Sequence, residues 1–138
     1  SVHLLALGEA LMVGKKYKLN LELVYNAIKI SSGNSFVNET ETKVILGGSY
    51  DVGFTMDLVN KDVGLFDKLT NKFNIPADLN KLINKKFKQG LKKYGKRAFS
   101  TKIVKLLEDQ CNESLRAKSF PKFLLDAEKK HKGIEVKN

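Results

Sequence analysis

Tyr50-Asp51-Val52-Gly53-Phe54-Thr55-Met56-Asp57-Leu58-Val59-Asn60-Lys61-Asp62-Val63-Gly64-Leu65-Phe66 leads from a glycine-rich loop into a helix whose apolar pattern is interrupted by charge. At about 100° per residue, a helix starting near Thr55 carries an apolar stripe through Leu58, Leu65, Phe66, Leu69 and Phe73, with Asp62 in its middle and Lys61 on its flank. A carboxylate on such a face has to be paired, hydrogen-bonded or engaged in chemistry. Periodicity leaves two readings open. Either Asp62 pairs with a cation elsewhere in the fold, or it faces a cleft where it holds an amine or a hydroxyl, with Lys61 free to reach a bound molecule.

The flanking segments read as further helices. An apolar run from Val2 to about Gly14 is followed by a short connection ending at Asn20, an expected N-cap for a helix from Leu21 to Ser31 whose face is Leu21, Val24, Tyr25 and Ile28. Ser31-Ser32-Gly33-Asn34-Ser35 breaks that helix, and Ser35 is placed to cap another from Phe36 to Leu46. Thr55 is expected to cap the long helix, and Asn74-Ile75-Pro76 to stop it near Phe73. A helix from Ala77 to Tyr94 closes on Gly95, and a last one follows Ser100 to about Cys111. No sustained alternation of period two occurs, so the expected fold is all-α: a multi-helix domain over residues 1–111. From Asn112 an extended polar tail is expected to run to residue 138, with Phe120, Phe123, Leu124 and Leu125 as its anchors, Pro121 interrupting it and a mobile end around His131.

The 138 residues suit one domain able to bury about two thirds of its unfolded surface. The single cysteine, Cys111, rules out an internal disulfide and a multi-cysteine zinc site, and no stretch approaches the roughly 20 apolar residues of a membrane span. A soluble protein of a reducing, cytoplasmic compartment is expected, with no metal. Ser1 enters directly into an apolar helical run, which reads as a helix joined midway, so the chain is expected to be truncated at its N-terminal side.

The formal charge of +10 is local: residues 72–105 hold eleven Lys or Arg and one acid, Asp78. Lys81, Lys85, Lys88 and Lys92 recur on one helix face opposite Leu79, Leu82, Ile83 and Phe87. Such a stripe could neutralise phosphates, yet it is also an ordinary solvated face, and base stacking would need aromatics among the lysines, whereas Phe87 and Tyr94 fall on the apolar side. The Gly47–Gly53 loop lacks the spacing of either phosphate-binding glycine motif and reads as a connector needing a permissive backbone. His3 and His131 sit far apart in sequence, and Glu39, Glu41 and Asp51 read as surface charge.

The stretch from Leu4 through Leu69, with Glu9-Ala10, the Ser32-Gly33-Asn34-Ser35 turn, and Phe54 followed eight residues later by Asp62 in Lys61-Asp62-Val63-Gly64-Leu65, resembles the C-terminal domain of the beta-hydroxyacid dehydrogenases, the group that includes 3-hydroxyisobutyrate dehydrogenase. The resemblance continues more loosely through Ile75-Pro76 and the Tyr94 to Glu108 region. It implies an all-helical domain of the kind found in 6-phosphogluconate dehydrogenase-like proteins, which closes the cleft of a Rossmann domain holding NAD or NADP and supports homo-oligomerisation during hydride transfer from a 2- or 3-hydroxyacid. Carried over by motif position, Phe54 and Asp62 line the substrate cleft and Lys61 contacts the cofactor. No catalytic residue falls in this chain: the family's lysine, with its asparagine, lies two or three turns before the residue matching Ser1. The chain alone is therefore expected to be inactive. The alternative is a basic helical module that binds nucleic acid or an acidic partner through the Lys81 to Lys92 stripe.

Overall fold

A computed structural model describes residues 1–120, and within them the chain is helical: α1 Val2–Lys16, α2 Leu21–Lys29, α3 Phe36–Gly47, α4 Met56–Lys72, α5 Asp78–Tyr94 and, after a 3₁₀ turn at Ser100–Lys102, α6 Ile103–Cys111. The only β pairing among the described residues is an isolated bridge between Thr55 and Phe99. The expectations for Pro121, Phe123, Leu124, Leu125 and His131 lie outside these residues.

Local chemistry sets the helix ends. Asn20 Oδ1 accepts from the Glu22 N–H at 2.9 Å and Ser35 Oγ from the Asn38 N–H at 3.1 Å, so both expected caps form. Thr55 does otherwise. It occupies the N-cap position, but its hydroxyl donates to the Asp57 carboxylate. The first-turn N–H groups of α4 are instead taken by the incoming segment before α6, with Met56 N–H donating to Ala98 O at 2.7 Å and Asp57 N–H to Lys96 O at 3.1 Å. At the other end, Asn74 takes a left-handed conformation (φ 53°) and Ile75 N–H closes on Thr70 O at 2.8 Å, turning the chain ahead of Pro76.

The core joins Leu4, Leu7, Leu11 and Met12 of α1, Leu21 and Tyr25 of α2, Ile45 and Leu46 of α3, Met56, Val59 and Val63 of α4, Ile83 and Phe87 of α5, and Ile103 and Val104 of α6. Helices α4 and α5 form the most extensive pair. Gly90 of α5 lies where a Cβ would come within 2.9 Å of Ile103 Cδ1, so this glycine permits the close approach of α5 to α6.

Residues past α6 also belong to this core: Phe120 packs there as the anchor expected of it, and Leu115 does so within the stretch read as polar tail. Leu115 is fully buried, Ala117 N–H donates to Leu46 O at 3.1 Å, and Phe120 meets Tyr25 edge-on with ring centroids 5.4 Å apart. The anchor is Glu108, only 2% exposed. Its Oε1 accepts from Leu115 N–H at 2.7 Å and from Arg116 Nη1 at 2.9 Å, while its Oε2 accepts from the Tyr50 hydroxyl. Arg116 Nη2 donates to Tyr50 Oη at 2.8 Å, and its guanidinium lies over the Tyr50 ring. Burial, then the bond to Glu108, holds the Tyr50 hydroxyl above its ordinary pKa. Gly48 is what lets Arg116 in: at φ 84°, a Cβ there would stand 2.7 Å from Arg116 Nε. The permissive backbone expected of the Gly47–Gly53 loop is thus used for packing.

On the surface, Asp109 accepts from Lys93, from Lys105 at 3.0 Å and from the Tyr94 hydroxyl at 2.8 Å. Lys93 first, then Lys105 and Tyr94, hold its carboxyl well below the usual carboxylate range. Stability from such a group is present above its unfolded pKa of ~4 and lost as pH falls through the lower folded value. Asp109→Asn should therefore lower the urea midpoint at neutral pH and flatten the acid limb of the stability profile. Glu108→Ala leaves the buried Leu115 N–H without its acceptor and Tyr50 and Arg116 without their shared carboxylate; it should cost on the order of 2–3 kcal/mol in urea unfolding, against about 1 kcal/mol for Tyr50→Phe.

Candidate functional site

Helix α4 has two apolar faces, and the structure uses only one of them internally. Met56, Val59, Val63 and Thr70 are buried. Asn60 on the same side donates through Nδ2 to Met56 O at 2.7 Å and to Phe87 O of α5 at 3.2 Å, and Asp67 Oδ1 accepts from Asn80 Nδ2 of α5 at 3.3 Å. The stripe of Leu58, Leu65, Phe66, Leu69 and Phe73 faces outward instead, with Phe66 54% and Phe73 63% exposed.

This placement puts Asp62 on the surface, outside the core pairing that one of its two readings required. The carboxylate does sit among the stripe residues, but the stripe is not core, and the ion pair Asp62 makes among the described residues is a local one. Its partner is the adjacent Lys61, whose Nζ lies 3.2 Å from Asp62 Oδ1, with side chains 61% and 55% exposed. A pair this open to water contributes little to folding. Both charges thus stand on an uncovered apolar surface, able to meet another molecule.

Phe54 is held at the same end of α4. Gly53 adopts φ 68° and its N–H closes on Asp51 Oδ1 at 3.0 Å, while Phe54 O accepts from Ser100 N–H at 2.8 Å. The backbone is pinned from both sides while the ring stays 36% exposed. Beside it the pairing segment carries Arg97, whose Nη1 is 3.9 Å from Asp57 Oδ2. Nothing in the sequence marked Arg97, because its proximity to α4 arises from the Thr55–Phe99 bridge, a contact between residues 44 apart in number.

Other expectations separate. Ile83 and Phe87 of α5 are buried as expected of its apolar side, but Leu79 and Leu82 are more than half exposed and border a groove with Val2 and Leu5 of α1 and Leu106 and Leu107 of α6. Lys81, Lys85, Lys88 and Lys92 do line one shallow groove, with Lys81 paired to Asp78 at 2.9 Å. Phe87 is fully buried and the Tyr94 hydroxyl is bound to Asp109, so neither ring stands among these lysines to stack a base. Glu41 is not plain surface charge: its Oε2 is buried without a hydrogen-bond partner among the described residues, and burial raises its pKa. Helix α3 turns it inward, which its sequence neighbours do not signal. Among the described residues no cluster of His, Cys, Asp and Glu is arranged to hold a metal, and no helix is long and apolar enough to cross a membrane.

Residues 1–107, spanning α1 through most of α6 and including the Phe54 to Asp62 segment, match a protein family described as NAD-binding of NADP-dependent 3-hydroxyisobutyrate dehydrogenase. The chain belongs to this family. It is 35% identical over 86 residues to a 2-(hydroxymethyl)glutarate dehydrogenase of Eubacterium barkeri, a match covering 62% of this chain and 29% of that protein. It is 28% identical over 78 residues to an L-threonate dehydrogenase of Haemophilus influenzae and 26% identical over 78 residues to one of Pectobacterium atrosepticum, each match covering 56% of this chain and 26% of the relative. These matches span under a third of the length of the relatives.

The exposure of Lys61 and Asp62 generates a direct test on this chain. Asp62→Leu should change the urea unfolding free energy by no more than about 0.5 kcal/mol in either direction. A loss of several kcal/mol would make Asp62 a structural residue.

Proposed function

We propose that this chain is the helical domain that closes the active-site cleft of an NAD(P)-dependent hydroxyacid dehydrogenase, with Phe54 and Asp62 lining the substrate side and Lys61 meeting the cofactor. The observation that carries this reading is the Lys61–Asp62 pair, two charges that compensate each other and are more than half exposed on an open apolar face of α4 within the family-matched region. The substrate class is a small 2- or 3-hydroxyacid, in keeping with the hydroxyacid relatives. The reading includes a Rossmann domain elsewhere in the protein, homo-oligomeric assembly and a cytoplasmic setting.

The residues present fit these ligands. A nicotinamide dinucleotide needs an apolar surface for its ring and a cation near its anionic parts, and α4 offers exposed leucine and phenylalanine side chains beside the Lys61 ammonium. The bound dinucleotide supplies the hydride acceptor for the carbinol carbon. The Asp62 carboxylate, in an exposed pair with Lys61, has lone pairs left to orient a substrate hydroxyl or the ammonium of a general base. Phe54, pinned through its own carbonyl, excludes water from that side of the cleft. Lys61 is positioned to move from Asp62 to a ligand oxyanion at little cost, because the exposed pair it leaves is weak. The proton acceptor for the hydroxyl is assigned to the domain outside this chain, so this chain alone should not turn over.

In the full-length protein, absorbance of the reduced nicotinamide should report hydroxyacid-dependent reduction of NAD or NADP. Asp62→Leu should lower kcat/KM about tenfold or more, and Lys61→Ala should raise the cofactor KM by a similar factor, each corresponding to ~1.4 kcal/mol of lost interaction. Wild-type kinetics in both variants would remove α4 from the cleft.

A further inference from the structure

The Arg97 side chain is 83% exposed, yet the residues flanking it are hydrogen-bonded to α4 and its entry. The residues on either side of it accept from the first turn of α4: Lys96 O from Asp57 N–H at 3.1 Å and Ala98 O from Met56 N–H at 2.7 Å. Two residues on, the bridge between Phe99 and Thr55 and the bond from Ser100 N–H to Phe54 O at 2.8 Å complete the attachment. A long, flexible cation is thus carried on a rigid ledge beside Phe54.

Its only contact with a carboxylate among the described residues is loose. Arg97 Nη1 stands 3.9 Å from Asp57 Oδ2, beyond hydrogen-bonding distance. Asp57 is already engaged, accepting the Thr55 hydroxyl and the Leu58 N–H. Among the described residues, therefore, no hydrogen bond occupies the guanidinium N–H donors of Arg97. Asp57 also precedes Lys61 by four residues, one turn of α4, so Arg97 and Lys61 flank the same face of the helix. A planar fork and a point cation a turn apart make a complementary pair for one oxyanion: the guanidinium fixes its orientation through two parallel hydrogen bonds, and the ammonium adds charge.

We propose that Arg97 is a positioning residue of the cleft that, together with Lys61, binds an oxyanion of the bound ligands, either the carboxylate of the hydroxyacid or a phosphate of the dinucleotide. This rests on the assignment of α4 to the cleft. Asp57 serves as the resting tether, keeping the guanidinium near the helix without consuming its donors.

The test uses full-length protein with Arg97→Gln, Arg97→Lys and, separately, Lys61→Ala. Binding of NADH and NADPH is read by nicotinamide fluorescence, and the hydroxyacid KM by steady-state kinetics. Arg97→Gln should leave the melting temperature unchanged and weaken one ligand about tenfold, with Arg97→Lys recovering part of the loss because charge returns without the fork. A raised dinucleotide Kd with reduced salt dependence identifies phosphate; an unchanged dinucleotide Kd with a raised hydroxyacid KM identifies the carboxylate. Either result supports the proposal. If Arg97→Gln matches wild type in both while Lys61→Ala weakens binding, Arg97 has no such role and α4 still lines the cleft. If both variants match wild type, the assignment of α4 to the cleft fails along with it.

Discussion

A single carboxylate, that of Glu108, holds together the parts of this domain that local helical preference cannot. It accepts the Tyr50 hydroxyl from the loop between α3 and α4, and the Leu115 N–H and Arg116 guanidinium from the segment after α6. Thr101 adds a second tie by donating its hydroxyl to Tyr50 O. A carboxylate this buried would be unfavourable unless its lone pairs were used, and here both oxygens are bonded and a cation is adjacent. The loop between α3 and α4 is fixed as a result. Phe54 and the entry into α4 follow from it.

The exposed apolar face of the domain arises because α4 is apolar around more of its circumference than α5 covers. One arc packs against α5, with Asn60 and Asp67 making polar ties at its edge. The other arc stays open, carrying Lys61 and Asp62. In a lone domain an exposed stripe of this kind is a liability; under the proposed function it would form one wall of the cleft. The 96–100 segment caps the first turn of α4 with backbone carbonyls, so the same hydrogen bonds that finish the helix set Phe54 and Arg97 beside it.

Much of this was legible in the sequence. Asn20 and Ser35 act as the caps their side-chain chemistry suggests, Asn74-Ile75-Pro76 stops α4, and the segment from Phe54 to Leu65 with its Lys-Asp interruption carries the family resemblance in the sequence itself. What periodicity could not supply was direction. It found the Leu58 to Phe73 stripe but could not tell which of two apolar arcs faces the core, because α5 chooses by packing on Met56, Val59 and Val63. The polar composition after Asn112 likewise hid Leu115, since one buried leucine and a set of long-range hydrogen bonds leave no periodic trace. Glu41 and Arg97 depend on contacts distant in sequence and were invisible for the same reason.

The helical family domain seen here corresponds to under a third of the length of its dehydrogenase relatives. The most direct measurement is a crystal structure of the full-length protein with a nicotinamide dinucleotide and a hydroxyacid bound. The account predicts the outer face of α4 turned to the ligands, with the Asp62 carboxylate within about 3 Å of the substrate hydroxyl or the general base, or one water away. An α4 stripe sealed against another protomer, with the dinucleotide bound away from Lys61, would contradict it.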